Sequence, residues 1–168
     1  TINALSENPP QTKLYAVIDG SCCGGEESDP HAVHGIEVLN NGFILSGKSI
    51  DIEGAEEGFV IKLPENMPNE RLYLHAEEEY NFDWSFTFGS PGTRDGANGA
   101  ASIFDSVFVA GYSENRNKVI DGYLAKINLS DGNLEWSKTF SSKNKNKNTA
   151  FESILITNDQ GVILYSVS

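Results

Sequence analysis

Asp131–Phe140 reads DGNLEWSKTF, and Tyr80–Ser90 reads YNFDWSFTFGS. In both, an acidic residue precedes Trp, Ser follows it, and a Thr-Phe pair closes the phrase. Asp83-Trp84-Ser85 thus matches Glu135-Trp136-Ser137. These are the only 2 tryptophans among 168 residues, so a shared frame around both points to an internal repeat.

Reading outward from the Trp phrases extends the match. EGFVIKLPEN (Glu57–Asn66) lies before Trp84, and DGYLAKINLSDGN (Asp121–Asn133) lies before Trp136. Gly58 and Gly122, Lys62 and Lys126, and Gly47 and Gly111 are each 64 residues apart. The tryptophans are only 52 apart, so the first copy holds 12 extra residues. They fall in PENMPNERLYLHAEEE, and residues 64–79 are expected to be an inserted loop. A third, partial copy closes the chain, where Thr149–Ser166 resembles His31–Gly47. Ile36 to Gly47 and Ile154 to Tyr165 both span 11 residues. The middle copy reads as 3 residues shorter between Ile103 and Gly111.

Each full copy holds four short apolar runs. In the middle copy they lie near Ala100–Phe104, Val107–Gly111, Gly122–Ile127 and Leu134–Phe140. Turn signals separate such runs at Asn41-Gly42, Asp131-Gly132 and Asp159–Gly161. Runs of this length, rich in Val, Ile, Phe and Tyr and joined by such turns, read as antiparallel strands. No segment holds a helical apolar period for more than about two turns. The expected class is all-β: four-stranded antiparallel sheets repeated as β-propeller blades.

The string ASI…VFVAGYS…DGYLAKINLSDGNLEWSKTF resembles the repeat of bacterial-type β-propeller repeat proteins, a PQQ-like or SBBP-like blade. The likeness covers Asp29–Ser166 and speaks to fold. It implies a single propeller segment over residues 1–168, with about two full blades and partial blades at both ends. Residues 29–90 form one blade and 95–141 another. Residues 148–168 form the first half of a further blade, and 12–21 an outer strand of a preceding or closing blade. The segment is expected to be completed by the rest of a longer propeller or by other chains. Gly47 and Gly111 are expected where an inner strand ends, permitting close backbone approach or a positive φ, and Gly58 and Gly122 are expected to take part in blade packing. Lys62 and Lys126 are expected to bury their stems, with the ammonium wet or paired with an acid. Trp84 and Trp136 are expected on the outermost strands, packed against the next blade.

Lys plus Arg is 12 and Asp plus Glu is 24, a net charge of −12. Such a chain repels phosphate backbones and anionic lipid, so neither nucleic acid nor a membrane surface is an expected partner. No apolar run reaches the roughly 18–20 residues of a membrane span. TINALSENPPQTK at the start has neither the basic nor the apolar region of a signal peptide.

Cys22 and Cys23 are adjacent and are the only cysteines. Three states are open to them: reduced thiols, a vicinal disulfide in a tight turn, or metal ligation. Asp29, His31 and His34 lie nearby, but His31 and His34 are three apart and fall on opposite faces of a strand. Asp51, Glu53, Glu56 and Glu57 offer weak Ca²⁺ binding without the spacing of a calcium loop. Asn128-Leu129-Ser130 is an N-glycosylation sequon on a turn. KNKNKN (Lys143–Asn148) reads as a solvated basic loop.

No nucleophile, phosphate-loop or zinc-protease motif occurs. Quinoprotein dehydrogenases are propellers, and some carry a cysteine pair like Cys22-Cys23, but their regular Trp-docking motif is missing from this sequence. The expected function is therefore a non-enzymatic, extracellular or cell-surface scaffold, adhesion or assembly module. It would have no cofactor beyond weak Ca²⁺, and its partners would be proteins or glycans. The alternatives are a Ca²⁺-dependent glycan-binding propeller and, behind it, a fragment of a quinoprotein-type enzyme.

Overall fold

Period-2 apolar runs separated by Asn, Asp and Gly form strands here rather than helices, because each run can bury both faces only between two sheets. The computed structural model describes residues 18–19, 31–50, 54–65, 72–73, 82–144 and 147–167. Among them every regular element is a strand. The first sheet runs in the order β2 (His31–Leu39), β3 (Gly42–Ile50), β4 (Glu56–Pro64), β6 (Trp84–Phe88). The second runs β7 (Asp95–Ile103), β8 (Ser106–Glu114), β9 (Ile120–Asn128), β10 (Leu134–Phe140). The third has two strands, β11 (Ala150–Ile156) and β12 (Val162–Val167). All three are antiparallel. β1 (Ile18–Asp19) and β5 (Leu72–Tyr73) form a two-residue parallel pair, so the inserted stretch contributes a short strand.

Strand register makes the two full sheets equivalent. Lys62 lies opposite Trp84 and Gly58 opposite Phe88, as Lys126 lies opposite Trp136 and Gly122 opposite Phe140. The first strand of each sheet carries a bulge, between Val33 and Gly35, Ala97 and Gly99, and Phe151 and Ser153. A bulge adds one residue to one strand of a pair. Measured from it, Ala100 rather than Ile103 corresponds to Ile36. The three-residue shortening of the middle copy is therefore corrected: both hairpins keep an 11-residue spacing, Ile36 to Gly47 and Ala100 to Gly111. In the third sheet Phe151 pairs with Ser166, so Ser166 and not Tyr165 takes the Gly47 position. Its hairpin is one residue longer. The backbone N–H of Thr157 donates to the carbonyl of Gly161 at 2.8 Å, and Gln160 adopts φ +69°.

Two further expectations change. The first hairpin turns at Asn40-Asn41, while Gly42 already belongs to β3, opposite Leu39. Gly47 and Gly111 lie inside β3 and β8 rather than at strand ends. Their role is close approach: a Cβ would meet the carbonyl oxygen of Ala32 at 2.0 Å and of Gly96 at 1.9 Å.

Alternate residues send each sheet's two faces to different neighbours. Ile44, Val60 and Trp84 of the first sheet pack with Val107, Val109, Tyr123, Ala125 and Ile127 of the second. Ala110 and Leu124, on the second sheet's other face, pack with Phe151, and Trp136, Ile154 and Leu164 close round them. The first sheet repeats the pattern on the face turned from the second, where Leu45, Phe59, Ile61 and Leu63 form a separate buried cluster. By register, Leu45 and Ile61 occupy the places that Val109 and Ala125 hold in the second sheet. Each sheet is thus a layer with a distinct front and back, and the back of one meets the front of the next.

Candidate functional site

The Asp-Gly turn at the head of DGNLEWSKTF seats the tryptophan of the other copy. The backbone N–H of Gly132 donates to the Asn128 carbonyl at 3.0 Å, and that of Asn128 to the Asn133 carbonyl at 2.9 Å. Asn128 Oδ1 accepts from the Ser130 backbone N–H (2.9 Å) and hydroxyl (2.7 Å), which shapes the turn locally. Gly132 has φ +73°, and a Cβ there would meet the Trp84 ring at 2.8 Å. The Trp84 indole N–H donates to the Leu129 carbonyl at 2.8 Å. Trp84 is 7% exposed, so its ring is buried and its one polar atom is satisfied. The sequon residue Asn128 therefore sits in the turn that forms this seat.

The acid before each tryptophan serves the lysine across the ladder. Lys62 Nζ pairs with Asp83 at 2.7 Å, and Lys126 Nζ with Glu135 at 2.6 Å. The repeated Lys and acid-Trp phrases are one cross-strand unit, in which the lysine stem lies beside the indole and its charge is met by the residue just before it. The sequence allowed an acid as partner for each lysine; strand register identifies Asp83 and Glu135 as those acids.

Among the described residues no turn seats Trp136 as the Gly132 turn seats Trp84. Trp136 is half-buried, edge-on to Phe108 with centroids 6.1 Å apart, and carries the Lys138 ammonium 5.5 Å from its ring. Its indole N–H makes no hydrogen bond to another described residue. On the face of the third sheet turned away from Trp136, Leu155, Ile163, Tyr165 and Val167 are exposed, each 51–62% accessible. β12 pairs only with β11 among the described strands, which leaves its other edge open there. Ile36 and Val38, on β2 of the first sheet, are exposed as well.

Polar contacts bind the layers together. The His34 ring donates through Nδ1 to Asn98 Oδ1 at 2.9 Å, and Asn98 Nδ2 donates to the Phe151 carbonyl at 2.9 Å. His34 and Asn98 are the extra residues of their bulges, so the alternation used for His31 and His34 fails at that point. Glu37 Oε1 accepts from the Ser102 backbone N–H and hydroxyl at 2.9 and 2.8 Å. At the far end of these strands Glu56 takes Lys48 at 2.5 Å and the Tyr112 hydroxyl at 3.1 Å. Burial would raise the Glu56 pKa, but the Lys48 hydrogen bond and charge overcome it and hold the carboxyl below its ordinary value. Tyr112 is pushed well above an ordinary phenol, first by burial and then by the Glu56 charge. Glu114 is buried, and pairs with Lys118 (3.2 Å) and Arg94 (3.5 Å). Burial opposes its ionisation, while the hydrogen bond and charge of Lys118, with Arg94, lower its pKa.

Cys22, Cys23, Asp29, Asp51 and Glu53 lie outside the described residues, as does the side chain of His31. Among the described residues no group of three His, Cys, Asp or Glu is placed to hold a metal ion, and Glu56 is already engaged by Lys48 and Tyr112. No described helix is long and apolar enough to cross a membrane. No family model matches the sequence, and no curated protein matches it significantly.

Proposed function

We propose that the chain is a β-propeller segment of the bacterial repeat type, acting as a non-enzymatic scaffold outside the cell or on its surface. It binds a protein or glycan partner and assembles by covering exposed layers of its sheet stack. The observation that carries this reading is the third sheet, where β12 has one edge that pairs with no described strand and an exposed apolar face of Leu155, Ile163, Tyr165 and Val167. Exposed patches of this kind mark interaction sites in well-folded proteins, and an open strand edge recruits further strands.

The layered construction supports the propeller. Two successive interfaces repeat the same back-to-front contact, and a repeated heterologous contact either closes into a ring or runs on as an array. The sequon at Asn128, in a turn where Ser130 and Asp131 are exposed, supports placement outside the cell.

Light scattering on the eluted protein tests the assembly. The expected result is a mass above 18.3 kDa that rises with concentration and falls when Ile163 and Tyr165 are both changed to Ser. A fixed 18.3 kDa species, unchanged by that double substitution, overturns it.

A further inference from the structure

The two tryptophans occupy equivalent places, yet among the described residues only Trp84 is received by a turn. Trp84 lies on β6, the fourth strand of its sheet, and is received by the turn between the third and fourth strands of the next sheet. Trp136 lies on β10, the fourth strand of its own sheet, and faces a third sheet with two strands. The position from which a turn would receive Trp136 therefore lies beyond the edge of β12 that pairs with no described strand. Leu155, Ile163 and Tyr165 extend the exposed apolar surface across the back of the same hairpin.

We propose that the open edge of β12 binds an antiparallel strand pair supplied by a partner polypeptide, and that the turn of this pair seats Trp136. The chemistry of the occupant follows from the seat already present. Its turn needs a glycine in the left-handed region, because a side chain at that point enters the indole and strains the backbone, as at Gly132. A backbone carbonyl three residues before that glycine accepts the Trp136 N–H, as Leu129 does for Trp84. Its first strand pairs antiparallel with β12 and continues the ladder that β8 and β9 form in the second sheet. The inference rests on the assembly reading above, and it names the partner's contact segment.

A direct probe is the chain's own example of such a pair, a synthetic peptide of residues 120–140 carrying Trp136→Phe. It is titrated into the full chain labelled with 5-fluorotryptophan, which gives two fluorine resonances assigned with the Trp136→Phe protein. The expected result is a saturable shift of the Trp136 resonance with Trp84 unmoved. A second peptide that also carries Gly132→Val should bind about tenfold more weakly or worse, since valine resists positive φ. An unmoved Trp136 resonance at millimolar peptide overturns the proposal. So do equal effects of the glycine and valine peptides, and so does a shift confined to Trp84. Should the chain stay monomeric and still bind the peptide, self-assembly fails while the strand-accepting edge stands. Should it assemble without binding the peptide, the edge fails and the assembly stands.

Discussion

Trp84 and Trp136 share a sequence phrase, a register position and a lysine partner across the ladder, but their surroundings differ. Trp84 is covered by a complete sheet, rests on Gly132 and satisfies its indole nitrogen on Leu129. Trp136 is covered by a hairpin and shares its exposed side with Lys138. The strand that carries a tryptophan does not decide its role; the layer packed against it does. Each layer of this stack covers the one before it, and the two described strands of the third sheet leave Trp136 half-buried in the second.

The comparison can be broken most sharply at the rings themselves. Trp84→Ala removes a buried ring and its hydrogen bond and is expected to destabilise by about 3–5 kcal/mol in urea unfolding. Trp136→Ala is expected to cost roughly 1–2 kcal/mol, because less of the ring leaves an apolar environment. Equal costs would mean that the two seats do not differ. Gly132→Val acts on the seat from the other side. It combines a strained backbone with a clash against Trp84 and should destabilise by about 2–3 kcal/mol, while Gly92→Val, at an open positive-φ turn, should cost less.

The polar ties sharpen the picture at smaller scale. Glu114→Gln is expected to lose about 1–2 kcal/mol at neutral pH, because a buried carboxylate then no longer meets Lys118 and Arg94. The folded-state pKa of Glu114 is depressed, so the wild-type advantage is fully present above about pH 4.5 and is lost as pH falls through the folded value. Unfolding curves of both proteins across that range should converge at the acid end. Smallest is the lysine pair. Lys62→Met, where the lysine paired with Asp83 is buried, should have a larger effect than Lys126→Met, where the lysine paired with Glu135 is only partly buried and the pair is expected to contribute about 0.5 kcal/mol or less.

Much of this was legible because the repeat writes its contacts in side chains. The glycine, lysine and tryptophan spacings located the strands and placed Trp84 and Trp136 on the fourth ones. The bulges were not legible. A bulge is a backbone event, and matching Ile103 to Ile36 by identity hid the extra residue that His34 and Asn98 each supply. The seat at Gly132 was read only as a turn, since nothing local says which distant ring will rest on a glycine. The pairing of Asp83 with Lys62 joins residues 21 apart across an insertion, and only strand register brings them together.

The difference between the two tryptophans is most directly tested by the solvent isotope shift of the two 5-fluorotryptophan resonances between H₂O and D₂O. The account predicts a shift near zero for Trp84 and a clearly larger one for Trp136. Equal shifts would contradict it, and so would a larger shift at Trp84, because either result would place the open layer somewhere other than the third sheet.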